Sequence, residues 1–139
     1  MDGVKNNRHI PLGNVTGDRF WEASVKLFEK RLELVASNIA NADTPNYKAR
    51  DFDFKVALAQ ALAIPEKSLS GSPQAVSINS GFSPKLLYRM PTQSSVDGNT
   101  VDVDAEQAVF INTAIRYEFA IGQAIDTYKS LSELFKNMK

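Results

Sequence analysis

The final segment of the chain carries a long, unbroken apolar repeat, which limits the possible folds more than any other feature. From Phe110 onward, apolar residues recur at alternating steps of four and three for about four heptads, and no proline follows Asp104. This spacing places them on one side of an α-helix. The row consists of Phe110, Ala114, Tyr117, Ile121, Ala124, Tyr128, Leu131, Phe135 and Met138. The sequence predicts a helix over 104–139, roughly 50 Å long, with Asp104 as its N-cap.

A second apolar row of the same kind lies near the start of the chain. Its members are Trp21, Val25, Phe28, Leu32, Val35 and Ile39. A parallel line runs beside it through Phe20, Leu27 and Leu34. The apolar sector is therefore wider than a two-stranded coiled coil needs, which predicts more than one neighbour. We predict a helix over 19–42 with Asp18 as its N-cap, preceded by a flexible leader over 1–18 that is rich in glycine and asparagine.

Two helices with such rows predict an antiparallel, intramolecular coiled coil, with residues 43–103 folding back between them. The C-terminal row is the longer, so the last helix should overhang and leave Phe135 and Met138 uncovered. Because a large apolar side chain contributes about 1.5–3 kcal/mol when buried, neighbouring subunits are expected to cover them. A heterologous contact of this kind propagates as a helical filament unless it closes into a ring. The predicted fold class is mainly α, with long terminal helices paired as a coiled coil and a small irregular or short-β middle.

Polar residues crowd the end of the first predicted helix. They are Asn38, Asn41 and Asp43. Proline restricts the preceding Thr44 to extended geometry, and Pro45-Asn46 suits the centre of a tight turn. Phe52 and Phe54 then alternate with charged residues, as in a half-buried extended segment. On residue chemistry alone this is a helix stop, and its aromatic residues are more typical of a core or subunit contact than of a ligand platform.

The same stretch resembles the signature of flagellar basal-body rod and hook-type axial proteins, whose usual form is NxANxxTPGY. The matching positions are Asn38, Ala40, Asn41, Thr44, Pro45 and Tyr47. The continuation from Lys48 to Phe54 is similar to an extension found in proximal rod subunits. Asn46 stands where the family usually has glycine. Since asparagine tolerates a left-handed backbone better than other non-glycine residues, the turn is still expected to form.

This resemblance implies a structural subunit of the bacterial flagellar rod, which assembles helically and transmits motor torque. It implies, as partners, other rod subunits, the adaptor protein at the rod base, the inner-membrane ring and the export gate. It also implies subunit contacts for the motif residues and for Phe52 and Phe54. Export through the flagellar type III apparatus without a cleaved signal peptide, and a final place in the periplasm, follow from the same resemblance.

The middle of the chain is less regular than its ends. Val56 to Ile64 is rich in alanine and predicts a short helix that ends before Pro65. Serine, glycine and proline dominate the residues that follow. Two short strands are predicted there, over Ala75 to Asn79 and Lys85 to Met90, either as a small hairpin or within a loop that orders against a neighbour.

Composition and motifs argue against nucleic-acid and metal binding. Sixteen basic and sixteen acidic residues cancel, without the basic cluster that a nucleic-acid surface needs. The chain has no cysteine, and its one histidine, His9, lies in the polar leader, so no metal site is predicted. The acidic segment 97–104 fails the calcium-loop spacing, because Val101 and Asp102 replace the required oxygen donor and glycine. A turn at Asp97-Gly98 followed by a helix cap is the preferred interpretation.

An enzyme is also disfavoured. The acidic pairs Asp51/Asp53 and Asp102/Asp104 have no histidine, cysteine or phosphate loop to complete an active site, so no cofactor or small-molecule substrate is predicted. No membrane span or signal-peptide core is recognisable, which by itself would indicate a cytosolic protein; the resemblance outweighs that indication. A soluble coiled-coil adaptor remains the alternative from another class, ahead of a cell-wall-active enzyme.

Overall fold

The computed structural model describes residues 13–63, 82–91 and 95–138. In chain order these residues form α1 (Gly13–Ala40), β1 (Arg50–Asp51), α2 (Phe54–Ala63), β2 (Leu87–Tyr88) and α3 (Val103–Asn137). The predicted fold class, with two long helices packed together and a small β element between them, is confirmed. No described helix has both the length and the apolar content that crossing a bilayer requires.

Helix α1 begins earlier than the sequence predicted. Residues 13–18, assigned to the leader, are helical, and Asp18 lies inside the helix rather than at its N-cap. The apolar row that starts at Trp21 indicates where α1 packs against other elements and does not indicate where the helix begins. A helical turn that packs against nothing can be polar on all sides, so it gives no periodic signal in the sequence. The rest of the predicted leader, residues 1–12, lies outside the described residues.

Helix α3 is capped by Asp102 and not, as predicted, by Asp104. Asp102 has an extended backbone, with φ −103° and ψ 104°, and its carboxylate accepts a hydrogen bond from the Ala105 amide at 3.2 Å. Asp104 lies in the first turn. Both aspartates could cap on pattern alone, and the backbone geometry that selects Asp102 is invisible in the sequence.

Helices α1 and α3 pack antiparallel. Asn38, near the end of α1, bonds Glu106 in the first turn of α3, and the rings of Trp21 and Phe119 meet edge to face at 5.6 Å. The buried residues of α3 are Glu106, Thr113 and Ala120, at seven-residue spacing. In the predicted apolar row, Ala114, Tyr117, Ile121 and Ala124 are half-buried, whereas Phe110 and Tyr128 are exposed. The innermost line of α3 is thus formed by small or polar residues beside the predicted row.

The core lies where α1 meets α2 and the segment after the turn. It consists of Leu27, Leu34, Phe52 and Ala57, with Phe54, Leu58 and Phe82 packed around it. Phe28 of α1 stacks on Phe54 with ring centroids 4.3 Å apart. The expectation of more than one neighbour for α1 is therefore confirmed. Phe54 is the first residue of α2 rather than part of an extended segment, because the Asp53 carboxylate accepts from the Val56 amide and starts the helix there.

The β element is a short antiparallel ladder. Arg50 pairs with Tyr88 and Asp51 with Leu87. Of the predicted strand from Lys85 to Met90, only residues 87–88 form a strand, and their partner is β1. The other predicted strand, over 75–79, lies outside the described residues.

The C-terminal end of α3, called the overhang below, is exposed as predicted. Its last described residues, 128–138, are all exposed. The large apolar side chains among them are Tyr128, Leu131, Leu134, Phe135 and Met138, which are 37–80% exposed. The C-terminal part of the predicted row therefore finds no cover within the described part of the chain.

The capping assignment is testable. Asp102→Ala removes the bond to the Ala105 amide and should lower the free energy of unfolding by about 1 kcal/mol. Asp104→Ala loses only a charge near the helix N-terminus and should cost less than about 0.5 kcal/mol. Urea denaturation of both variants measures the difference, and a larger loss for Asp104→Ala would restore the cap predicted from the sequence.

Candidate functional site

The turn that follows α1 is built from its own polar side chains. Asn41 donates from its side-chain amide to the Ser37 carbonyl at 2.8 Å, and Thr44 donates its hydroxyl proton to Asn41 Oδ1 at 3.1 Å. Asn46 has φ 60°, the left-handed conformation expected from the sequence, and its amide donates to the Asp97 carbonyl at 2.9 Å. The helix is stopped by these local bonds, and the chain leaves in a direction fixed at Asn46.

Asn38 is the central residue of the motif. Its side chain is fully buried, and its Nδ2 donates to the Arg50 carbonyl at 2.8 Å and to Glu106 Oε2 at 3.2 Å. Its Oδ1 accepts from the Arg50 amide at 3.1 Å and from the Tyr47 hydroxyl at 3.3 Å. An amide has two donors and an acceptor oxygen, and here all are used. Asn38 thus pairs with the backbone of β1 as a neighbouring strand would, while it also contacts α3.

Asn99 closes the turn from the other side. This residue is buried, and its Nδ2 lies 2.8–3.0 Å from the carbonyl oxygens of Asn41, Ala42 and Thr44. Those carbonyls follow the end of α1, where groups without an intrahelical partner need donors. This role of Asn99 was not predicted from the sequence, where the residue lies inside the acidic segment 97–104. In the described residues, no cluster of three or more acidic, histidine or cysteine side chains could hold a metal ion.

Four charged residues form a cluster beside Asn38, referred to below as the charge cluster. They are Arg31, Asp51, Arg89 and Glu106. Arg31 binds Asp51 with two hydrogen bonds, at 3.1 and 2.9 Å. Arg89 reaches Asp51 at 2.8 Å and Glu106 at 2.9 Å, and Glu106 is only 1% exposed. Two positive and two negative side chains balance, so each charge of this cluster has an opposite partner.

The electrostatics of Asp51 reflect this cluster. Burial acts to raise the pKa of Asp51, but hydrogen bonds from Arg31, Arg89 and the Phe52 amide lower it, and the net shift is downward. Sequence reasoning missed the cluster because its members are spread over four separate segments. Each arginine or aspartate, read alone, is indistinguishable from a solvated surface residue.

The remaining motif residues divide into interior and surface positions. Tyr47 is half-buried, and its hydroxyl lies within 3.3 Å of both Ser37 and Asn38. Phe52 belongs to the core, and Phe54 packs on Phe28. Ala40, Thr44 and Pro45 are exposed. The interior residues set the geometry of the turn and leave its outer surface available for contacts.

Replacement of Asn38 tests its central place. Asn38→Ala would leave the amide and carbonyl of Arg50 and one oxygen of Glu106 without this partner, so we expect a loss of roughly 2–4 kcal/mol in unfolding free energy. Asn41→Ala removes bonds at a half-exposed helix end and should cost about 1 kcal/mol or less. Equal losses for the two variants in denaturant titrations would contradict the role assigned to the buried amide.

The charge cluster predicts a pH dependence. Because the folded-state pKa of Asp51 is lowered, the unfolded chain binds its proton first on acidification. The stabilisation from Asp51 is complete above the ordinary aspartate pKa and is lost as the pH falls through the folded-state value. Asp51→Asn should therefore flatten the dependence of unfolding free energy on pH in that acidic range. Asp126→Asn, which removes an exposed carboxylate, is the matched control and should retain the wild-type profile.

Comparisons with known proteins identify the family to which the motif belongs. A family model described as "Flagella basal body rod protein" matches residues 26–48, which span the second half of α1 and the turn. The flagellar basal body rod protein FlgB of Salmonella typhimurium is 38% identical over 111 residues, covering 74% of this chain and 80% of the relative. FlgB of Escherichia coli is 33% identical over 127 residues, covering 86% and 92%, and FlgB of Cereibacter sphaeroides 39% over 95 residues, covering 68% and 74%. The chain belongs to the FlgB family of flagellar basal body rod proteins.

Proposed function

We propose that this structural subunit of the flagellar rod assembles through the apolar surfaces that α3 leaves exposed, and that it transmits motor torque through rigid helix packing. The observation that carries the proposal is the apolar surface of α3. Its exposed large apolar residues are Val103, Phe110, Ile111, Ile115, Phe119, Ile125, Tyr128, Leu131, Leu134, Phe135 and Met138. A helix that is apolar on several sides is typical of one that is packed on several sides.

Two parts of α3 have different uses in such an assembly. The overhang, residues 128–138, continues the line that faces α1, so a neighbouring helix placed beyond α1 would extend the same pairing. Ile111 and Ile115 lie about half a turn away from Thr113, on the side of α3 opposite α1. A subunit with apolar surface on two sides of one helix meets two different neighbours, which is the geometry of a heterologous, propagating contact.

The exposed part of the turn motif offers a third contact. Ala40, Thr44 and Pro45 lie at the surface while Asn38 and Asn99 hold the turn in place from inside. We propose that this fixed outer surface meets neighbouring subunits. Its few polar groups set orientation, because hydrogen bonds worth about 1 kcal/mol net cannot hold two subunits alone. The helices supply the affinity.

Finer assignments follow the family resemblance. We propose a position in the proximal rod and contacts with other rod subunits, the adaptor at the rod base, the inner-membrane ring and the export gate. We also propose export without a cleaved signal peptide and a final place in the periplasm. In this proposal α1 and α3 act as one coiled-coil unit with residues 43–103 as its insert, and the chain has no catalytic role, since the polar clusters described above serve the fold.

The overhang can be tested in cells. In a strain lacking the gene, Phe135→Asp should abolish swimming and rod assembly, because it places a charge on a side chain that is 70% exposed in the lone subunit but packed in the rod. The protein should accumulate to the normal level.

Asn137→Asp, which adds the same charge at an exposed position on the opposite side of the same helical stretch, is the matched control and should support swimming. Normal basal bodies in the Phe135→Asp strain would contradict the proposed contact. Loss of swimming in both strains would point to general intolerance of charge instead.

A further inference from the structure

Residues 82–91, which contain β2 and are called the strap below, have few contacts with the other described residues. The side chains of Lys85, Leu86, Leu87, Tyr88 and Met90 are exposed. Among the described strap residues, Pro84 is buried and Phe82 packs against the core. The backbone adds the two-residue ladder with β1 and a bond from the Arg89 amide to the Ala49 carbonyl at 2.9 Å.

The Arg89 side chain makes the ion pairs that join the strap to β1 and α3. Its guanidinium binds Asp51 of β1 and Glu106 in the first turn of α3. The Arg89 side chain is 27% exposed. Charge-assisted bonds of this kind are stronger than neutral ones. Without Arg89, the Asp51 carboxylate would keep its two bonds to Arg31. Among the described residues, the buried Glu106 carboxylate would keep only its bond from the Asn38 amide. Release of the strap therefore leaves an uncompensated charge against α1.

We propose that residues 82–91 form a strap latched by Arg89, so that closure of the strap and seating of the first turn of α3 on α1 depend on each other. The strap closes because Arg89 neutralises Glu106, and Glu106 can stay buried because the strap is closed. Breaking the latch frees residues 86–90 and loosens the start of α3, while the middle of α1 and α3, held by Thr113 and Ala120, stays packed. The latch lies within a single chain and does not depend on how subunits assemble.

Hydrogen exchange of the full-length protein tests the latch. In Arg89→Met, the amides of residues 86–90 and of the first turn of α3 should exchange roughly tenfold faster or more, while amides around Thr113 and Ala120 change little. Lys85→Met makes the same replacement at an exposed cation of the same strap and is the matched control. Unchanged exchange in Arg89→Met, or equal acceleration along the whole of α3, would overturn the proposal.

A double variant separates the latch from general damage to the interior. In Arg89→Met/Glu106→Gln the buried charge is gone, and the new amide can still accept from Asn38, so the thermal midpoint should recover most of what Arg89→Met loses. Exchange of residues 86–90 should nevertheless remain fast, because nothing holds the strap. If the double variant restores slow exchange in the strap, or if it is less stable than Arg89→Met, Arg89 is not the latch.

Discussion

The buried amide of Asn38 is the contact on which the rest of the structure depends. It pairs with both backbone groups of Arg50 and thereby places β1 against the last turn of α1, at the point where the chain has just reversed direction. The same amide donates to Glu106, which fixes the start of α3. No apolar residue could do this, because an apolar side chain would leave those groups unpaired at a cost of about 1–3 kcal/mol each. Among the described residues, no buried polar side-chain atom lacks a partner.

The charge cluster extends this arrangement to the strap. Removing two carboxylates from water is costly, and the two arginines offset that cost only in one arrangement of α1, β1, the strap and α3. An apolar core tolerates small shifts of its elements, whereas paired charges at 2.8–2.9 Å do not. The cluster therefore specifies position more than it adds stability. In the proposed assembly, where the subunit presents its surfaces at fixed angles, that specification of position is the useful property.

The periodic spacing of apolar residues predicted those features of the fold that depend on burial of apolar surface, and few others. The helices, their antiparallel pairing and the exposed overhang follow from the rows that begin at Trp21 and Phe110. The innermost positions of α3 could not be found this way, since Glu106 and Thr113 are polar and are buried only because Arg89, Asn38 and the Val109 carbonyl bond them. The cap at Asp102 and the pairing of β2 with β1 depend on backbone geometry and on contacts distant in sequence. The motif residues are recognisable from the sequence. The structural role of the Asn38 side chain is visible only in the fold, which brings Arg50 and Glu106 next to it.

In this subunit, polar side chains make central contacts in the interior, while many large apolar side chains of α3 are exposed. A monomeric protein of this size stabilises itself chiefly by apolar burial, and it would be destabilised by leaving so many large side chains of α3 in water. Here the polar contacts around Asn38 and Asn99 fix the turn that follows α1, whereas the large apolar side chains of α3 named above stay exposed. In the proposed assembly, shape and affinity reside in different residues, so a charge placed on the outer face of α3 prevents assembly without unfolding the subunit, whereas loss of Asn38 disturbs the subunit itself.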